Sequence, residues 1–290
     1  MPPQDSALGM YDLGSVTIAD FLVNESGMNQ SLTLQRGKPL PNKHIRKDGT
    51  PVGVSLTSLK PPRPSLNLSG TLHLEQKVGR GKFGYVYNAR LDKDGGLSSK
   101  DIPPLVVKIC IPKKFYKTER EAYYYEEMET LQGSVIPRYY GHFMAVVDPG
   151  NSVKVWTREM RWRREPGRKI EYNEVSYKSD DEDHVDYPRV VTILLLERYT
   201  VPKLTPELTE TLRKEAKWMY EEIAAVGIEQ HDVRPDNVVQ ANETYLPTLP
   251  SPKNKKMFQW RIIDFGIAQK SERPYATLKE VYAEFLEKWS

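Results

Sequence analysis

The chain has 290 residues and a net charge of +3; 39% of residues are hydrophobic and 28% charged, with 17 Tyr, 7 Phe and 5 Trp. This fits one or two globular domains and excludes collagen-like, coiled-coil and wholly disordered readings. Apolar runs such as Val190 to Leu196 fall far short of the roughly 20 residues that a membrane-crossing helix needs, so no membrane partner is expected.

The lone cysteine, Cys110, excludes an internal disulfide and a thiolate zinc site, which leaves oxygens as metal ligands. Residues 1 to 12 lack a basic and apolar leader pattern, so a cytoplasmic or nuclear compartment is expected. The small net charge does not by itself point to nucleic acid as a partner.

Residues 1 to about 65 are rich in Pro, Gly, Ser and Asn without a sustained period and read as a mostly mobile extension, although Val16 to Val23 could pack as a short element. Within it, Arg36 to Arg63 is basic and proline-rich, with Asp48 its one acid. Leu72 to Val78 and Tyr85 to Leu91 alternate in character and flank a glycine cluster, a strand, loop, strand pattern. Pro104 to Ile111 reads as another strand. Phe115 to Leu131 reads as a helix, with Ala122, Tyr125, Met128 and Leu131 on one face and Gly133 as its stop.

A charged insertion over 150–188 follows. Lys154 to Ile170 carries seven basic residues against two acids, and Glu171 to Asp186 carries seven acids against one lysine. Adjacent blocks of this kind read as a solvated insertion, or alternatively as a docking surface for a charged partner. Val190 to Leu196 is a continuous apolar strand. Thr205 and Pro206 open a second helix as N-cap and N1, with Leu208, Leu212, Ala216, Met219, Ile223 and Val226 on one face until Gly227. Gln240 to Lys256 reads as a long polar hairpin loop, and Trp260 to Ile263 as a strand. Tyr275 to Trp289 reads as a helix with Leu278, Val281, Tyr282, Phe285 and Trp289 on one face.

Four motifs carry chemistry. Gly79, Gly81 and Gly84 lie between two predicted strands, where glycines let a backbone approach phosphate oxygens and Phe83 can cap the loop tip. Taken alone this is also a plain glycine-rich hairpin. Lys108 sits inside an apolar strand, where it either snorkels from an edge or is held inward by an anion and a carboxylate. Glu121 is the best-phased carboxylate on the following helix, ahead of Glu119 and Glu126. Gln230 to Asn237 places Asp232 and Asn237 five residues apart around a proline turn, able to present one group to a hydroxyl and the other to Mg2+. Asp264-Phe265-Gly266 follows a strand, where an aspartate can offer a hard oxygen to a metal.

In this order and local context the chain resembles the protein kinase superfamily over about residues 70 to 268. In particular it resembles short, atypical, kinase-like proteins of fungi with a reduced C-terminal lobe. The resemblance implies an α+β, two-lobed fold. Residues 70–198 would form the N-lobe, and 199–290 a truncated C-terminal lobe, since only 24 residues follow Gly266. It implies ATP and Mg2+ as cofactors and a protein Ser or Thr as acceptor. Lys108, paired with Glu121, would hold the α and β phosphates, and Asn237 and Asp264 the metal. Asp232 would act as base and Arg234 would reach the γ-phosphate. Val78, Gly79, Gly81, Phe83, Gly84 and Val86 would cover the nucleotide, with Leu196 as gatekeeper and Glu197 to Tyr199 facing adenine.

His231 replaces the family arginine that pairs with a phosphorylated activation loop, so no such phosphate switch is expected. Val106 is larger than the usual alanine and bears on the room left for adenine. A kinase-like binding module without transfer and a small-molecule kinase are the alternatives.

Overall fold

A computed structural model describes residues 13–37, 68–81, 83–92, 102–111, 114–156, 190–241 and 246–289. The basic stretch beyond residue 37, most of the charged insertion, Lys82 and residues 242–245 lie outside the described residues.

Strands β1 (Leu13–Val23), β2 (Asn29–Arg36), β3 (Leu68–Arg80), β4 (Gly84–Asp92), β5 (Leu105–Cys110), β6 (Tyr139–Val146) and β8 (Val190–Glu197) pair in the order β2-β6-β8-β5-β4-β3-β1. A further β1–β2 pairing closes these seven strands into a barrel, and β7 (Ser152–Val153) adds to the end of β1. The β1–β3 contact is parallel, and the other pairs around the ring are antiparallel.

Side-chain alternation sorts residues between the two faces of the wall. One apolar cluster draws on all seven strands, through residues such as Val16, Leu34, Leu72, Leu91, Val107, Phe143 and Ile193, and fills the barrel. The intervening residues Val106, Leu194 and Leu196 face outward and join a second cluster with the helices.

Helix α1 (Phe115–Glu127) lies on that outer face and buries Ala122, Tyr125 and Met128 completely. A 3-10 turn, Glu129–Leu131, ends it before Gly133, whose φ of +73° favours glycine. The chain then forms β9 (Tyr199–Thr200) and α2 (Pro206–Ala225). Thr205 caps α2 by accepting the Leu208 N–H at 3.2 Å, and Gly227 follows with φ +71°. Short strands complete the layer. β10 (Ile228–Glu229) pairs with β13 (Gln269–Lys270), and β11 (Val238–Ala241) joins β9 to β12 (Trp260–Ile262). Helix α3 (Tyr275–Glu287) buries Leu278, Tyr282 and Leu286, with Trp289 just beyond it. Leu278, Tyr282 and Trp289 of the expected face are buried, whereas Val281 and Phe285 are half-buried and Leu286 is buried instead.

This architecture corrects two expectations. The predicted α+β, two-lobed kinase fold with a truncated C-terminal lobe gives way to a β-dominated fold, a closed seven-stranded barrel with three α-helices among the described residues. The physical reason is the partnering of β1 and β2. Alternation predicts that a segment is a strand but not which strand it joins, and the N-terminal segment read as mostly mobile supplies the two strands that close the ring. No helix of the described residues is long and apolar enough to cross a membrane.

Candidate active site

In β5, Leu105, Val107 and Ile109 fill the barrel, so Val106, Lys108 and Cys110 project from its outer wall. Lys108 stands opposite Val86 of β4 and Leu194 of β8. An outward lysine is ordinarily solvated, but α1 and the turn after β12 cover this one to 9% exposure. Its Nζ donates to Glu121 Oε2 at 2.6 Å and to Asp264 Oδ1 at 3.1 Å.

Burial alone would push the Lys108 ammonium toward neutrality, but the charges of Asp264 and Glu121 outweigh it and hold the group protonated above the usual lysine range. Burial pushes the Glu121 carboxyl up to about 7 against the pull of Lys108. At Asp264 burial also works upward, yet Lys108, Arg234 and the Gly266 N–H prevail and keep the carboxyl below its ordinary value.

Asp264 adopts φ +66°, a left-handed conformation that costs a residue with a Cβ about 1–2 kcal/mol. The surroundings impose it. Gln230 Nε2 donates to Ile263 O at 2.8 Å and Asp264 O at 3.1 Å, and Phe265 meets the Tyr125 ring edge-on at 5.4 Å. Strain held in this way concentrates at functional sites.

Asp232 and Asn237 are brought together by the 3-10 turn Pro235–Asn237. Asn237 Nδ2 donates to Asp232 O at 2.8 Å and Oδ2 at 3.0 Å, which leaves Oδ1 as the amide's remaining polar atom. Arg234 Nη2 lies 3.0 Å from Asp232 Oδ2. The Ile263 N–H donates to Asn237 O at 2.9 Å and sets the turn beside Asp264. Helix α3 supports the turn from behind. The buried Tyr282 hydroxyl accepts from Gln230 N at 2.8 Å and donates to Ile228 O at 2.9 Å, and Trp289 Nε1 donates to Val233 O at 3.2 Å. A cavity of about 190 Å3, lined by Val201, Pro202, Leu204, Pro235, Asp236 and Val238, flanks the same turn.

The glycines divide by role. A Cβ on Gly84 would lie 2.3 Å from Ile109 O, so this glycine serves the close approach of β4 to β5. Gly79 has open space where a Cβ would stand, and around Gly81 the nearest atom is Gly84 O at 4.0 Å, so protein packing does not require either glycine. Phe83 Cδ2 lies 3.6 Å from the Cβ position of Gly266, and Lys117 Nζ is 5.8 Å from the Phe83 ring, which carries the loop tip to the Asp264 turn. Val86 packs on the helix-side cluster, and Val78 is half-exposed.

Leu196 is buried opposite Val106 and Tyr139. Glu197 has a role not read from the sequence: its carboxylate accepts from Arg138 N at 3.0 Å and Arg138 Nη1 at 3.1 Å. Its own N–H and that of Arg198 donate to Arg138 O and Pro104 O, and Tyr199 pairs with Ala241. Sequence reading named Gln230 only as the start of the Asp232 motif, without its bonds to Ile263 O and Asp264 O, and missed Arg138. A buried arginine runs against residue-type expectation, and no local pattern announces it.

No trio of His, Cys, Asp and Glu able to cage a metal exists among the described residues. Asp264 and the Asn237 amide oxygen nevertheless fit Mg2+, which uses one or two carboxylates and takes its other ligands from phosphates and water.

No protein-family model and no curated protein matches the chain. With the barrel, this overturns the expected membership of the protein kinase superfamily, a likeness carried by four short local motifs.

Proposed function

We propose that the chain is an ATP-dependent phosphotransferase that moves the γ-phosphoryl group, with Mg2+, to a hydroxyl, a Ser or Thr of a protein being the expected acceptor. The observation that carries this reading is the buried Lys108 ammonium shared by Glu121 and Asp264, next to the Asp232–Asn237 pair. Lys108, oriented by Glu121, binds the α and β phosphates. Asp264 and Asn237 would hold Mg2+, which would supply neutralisation of phosphate charge when bound. Asp232 orients the acceptor hydroxyl and takes its proton as the new P–O bond forms. The bond from the γ-phosphorus to the bridging oxygen breaks, and ADP leaves with that electron pair. Arg234, beside Asp232, offsets charge on the transferred group. Most of this work is positioning.

A second reading, a module that binds a partner without transfer, draws support from the Glu197 and Arg198 amides, which already donate to protein carbonyls. ATP turnover and autophosphorylation, measured with Mg2+ beside Asp264→Asn and followed by mass spectrometry, separate the two. Transfer that falls about a hundredfold in the variant is expected. Turnover no greater than that of the folded variant would refute the phosphotransferase.

A further inference from the structure

Glu229 ends β10, two residues before His231, and its side chain is only 8% exposed. Groups from both chain segments that leave the site converge on it. Ser271 Oγ donates to its Oε2 at 3.2 Å, Arg273 Nε lies 3.8 Å from the same oxygen, and His231 Nδ1 lies 3.9 Å from Oε1. Tyr282 faces it from α3; burial, and to a lesser degree the Glu229 charge, suppress ionisation of that phenol. Ser271 is fixed in turn, its N–H donating to Gly227 O at 2.9 Å and its Oγ accepting from Arg273 N at 3.2 Å.

Pairing of β10 with β13 needs only backbone, and an apolar residue of similar volume would serve the strand without the desolvation cost of a buried carboxylate. A charge kept at that cost has a use in fixing neighbours. Its neighbours are the start of the Asp232 turn and the end of the strand that follows Asp264.

The geometry points to Glu229 as a positioning residue: an internal carboxylate that locks the Asp232 turn to the segment after Asp264. This deepens the phosphotransferase reading and rests on it for its consequence in catalysis, whereas the locking itself is read without activity. His231 and Arg273 are the side chains that face Glu229 from the two segments.

Hydrogen exchange of the full chain tests it in Glu229→Gln, which keeps the shape and removes the charge. The expected result is exchange about tenfold faster in 230–237 and 268–273 together, with α2 and β4 unchanged. The kcat for transfer should fall about tenfold while the KM for ATP stays within about twofold. Arg273→Gln, on a half-exposed partner, should loosen the same two segments, and the double variant should add less than the sum. Faster exchange in one segment alone, in neither, or uniformly along the chain would overturn the proposal. Paired loosening in a protein that transfers no phosphate even as wild type would support the lock while removing the phosphotransferase.

Discussion

Replacing Lys108 with Met takes the ammonium from between Glu121 and Asp264, and the cost depends on pH in a direction the site dictates. In the wild type Lys108 is held charged above the usual lysine range, so its own charge is complete below about pH 10.5 and does not change through neutral pH. Near pH 6 Glu121 keeps its proton in both proteins, since burial has pushed it up to about 7. The variant then loses chiefly the charged contact with Asp264, about 2 kcal/mol.

Above pH 7 the two proteins diverge. Wild-type Glu121 ionises beside Lys108, whereas in the variant burial and Asp264 both act to keep the proton on. The folded variant thus holds a proton that its unfolded chain releases above about pH 4.5, and it loses a further ~1.4 kcal/mol per pH unit beyond the wild type. Near pH 8.5 the total is about 4 kcal/mol, in the range for breaking a buried pair. Urea unfolding followed by tryptophan fluorescence at the two pH values reads this difference. An equal cost at both, or a larger one near pH 6, would refute the reasoning.

The buried His142 has no hydrogen-bond partner on either ring nitrogen among the described residues. Burial, then the Arg36 charge, holds its pKa down at about 4. A histidine depressed below its unfolded value of 6.5 costs stability as pH falls from about 6.5 to 4, up to about 3 kcal/mol, and His142→Leu should flatten that limb of an acid-unfolding curve. A wild-type curve without the slope would contradict the burial argument. Gly84→Ala should destabilise by about 1–3 kcal/mol because its Cβ meets backbone at 2.3 Å. Gly79→Ala, facing open space, should leave thermal stability within about 0.5 kcal/mol while weakening ATP binding in calorimetry. Equal effects of the two glycines on stability would remove the distinction.

What the sequence made legible was local. The Ala122, Tyr125, Met128 face orients α1, and that phase alone singles out Glu121 from Glu119 and Glu126 as the carboxylate that meets Lys108. The caps of α2 were equally plain in Thr205, Pro206 and Gly227. Long-range partnering was not. In β1 the alternation of Val16 and Ile18 breaks near Asp20, where φ is +50° and the β1–β2 register shifts, so the segment carries no sustained period. β6 holds Gly141 and His142 and lacks a strand signature, yet it accepts β2 and continues the ring. In α3 the buried i, i+4 series runs through Leu286 rather than Phe285, a choice made by what the helix packs against. Arg261, which donates to four backbone carbonyls and Thr248, is buried by partners up to 128 positions away that no local pattern announces.

The strand order has a consequence for the ribosome-bound chain. β8 lies between β5 and β6, so the ring cannot close until residue 197 has left the exit tunnel, although its first strands appear with residues 13–36. At 5–20 residues per second this leaves the apolar faces of β1 and β2 without the closed ring for roughly ten to thirty seconds. Nascent β1 and β2 can form their own hairpin, but Gln35 must wait for Met144. The edge it keeps open meanwhile exposes the nascent chain to wrong strand pairing.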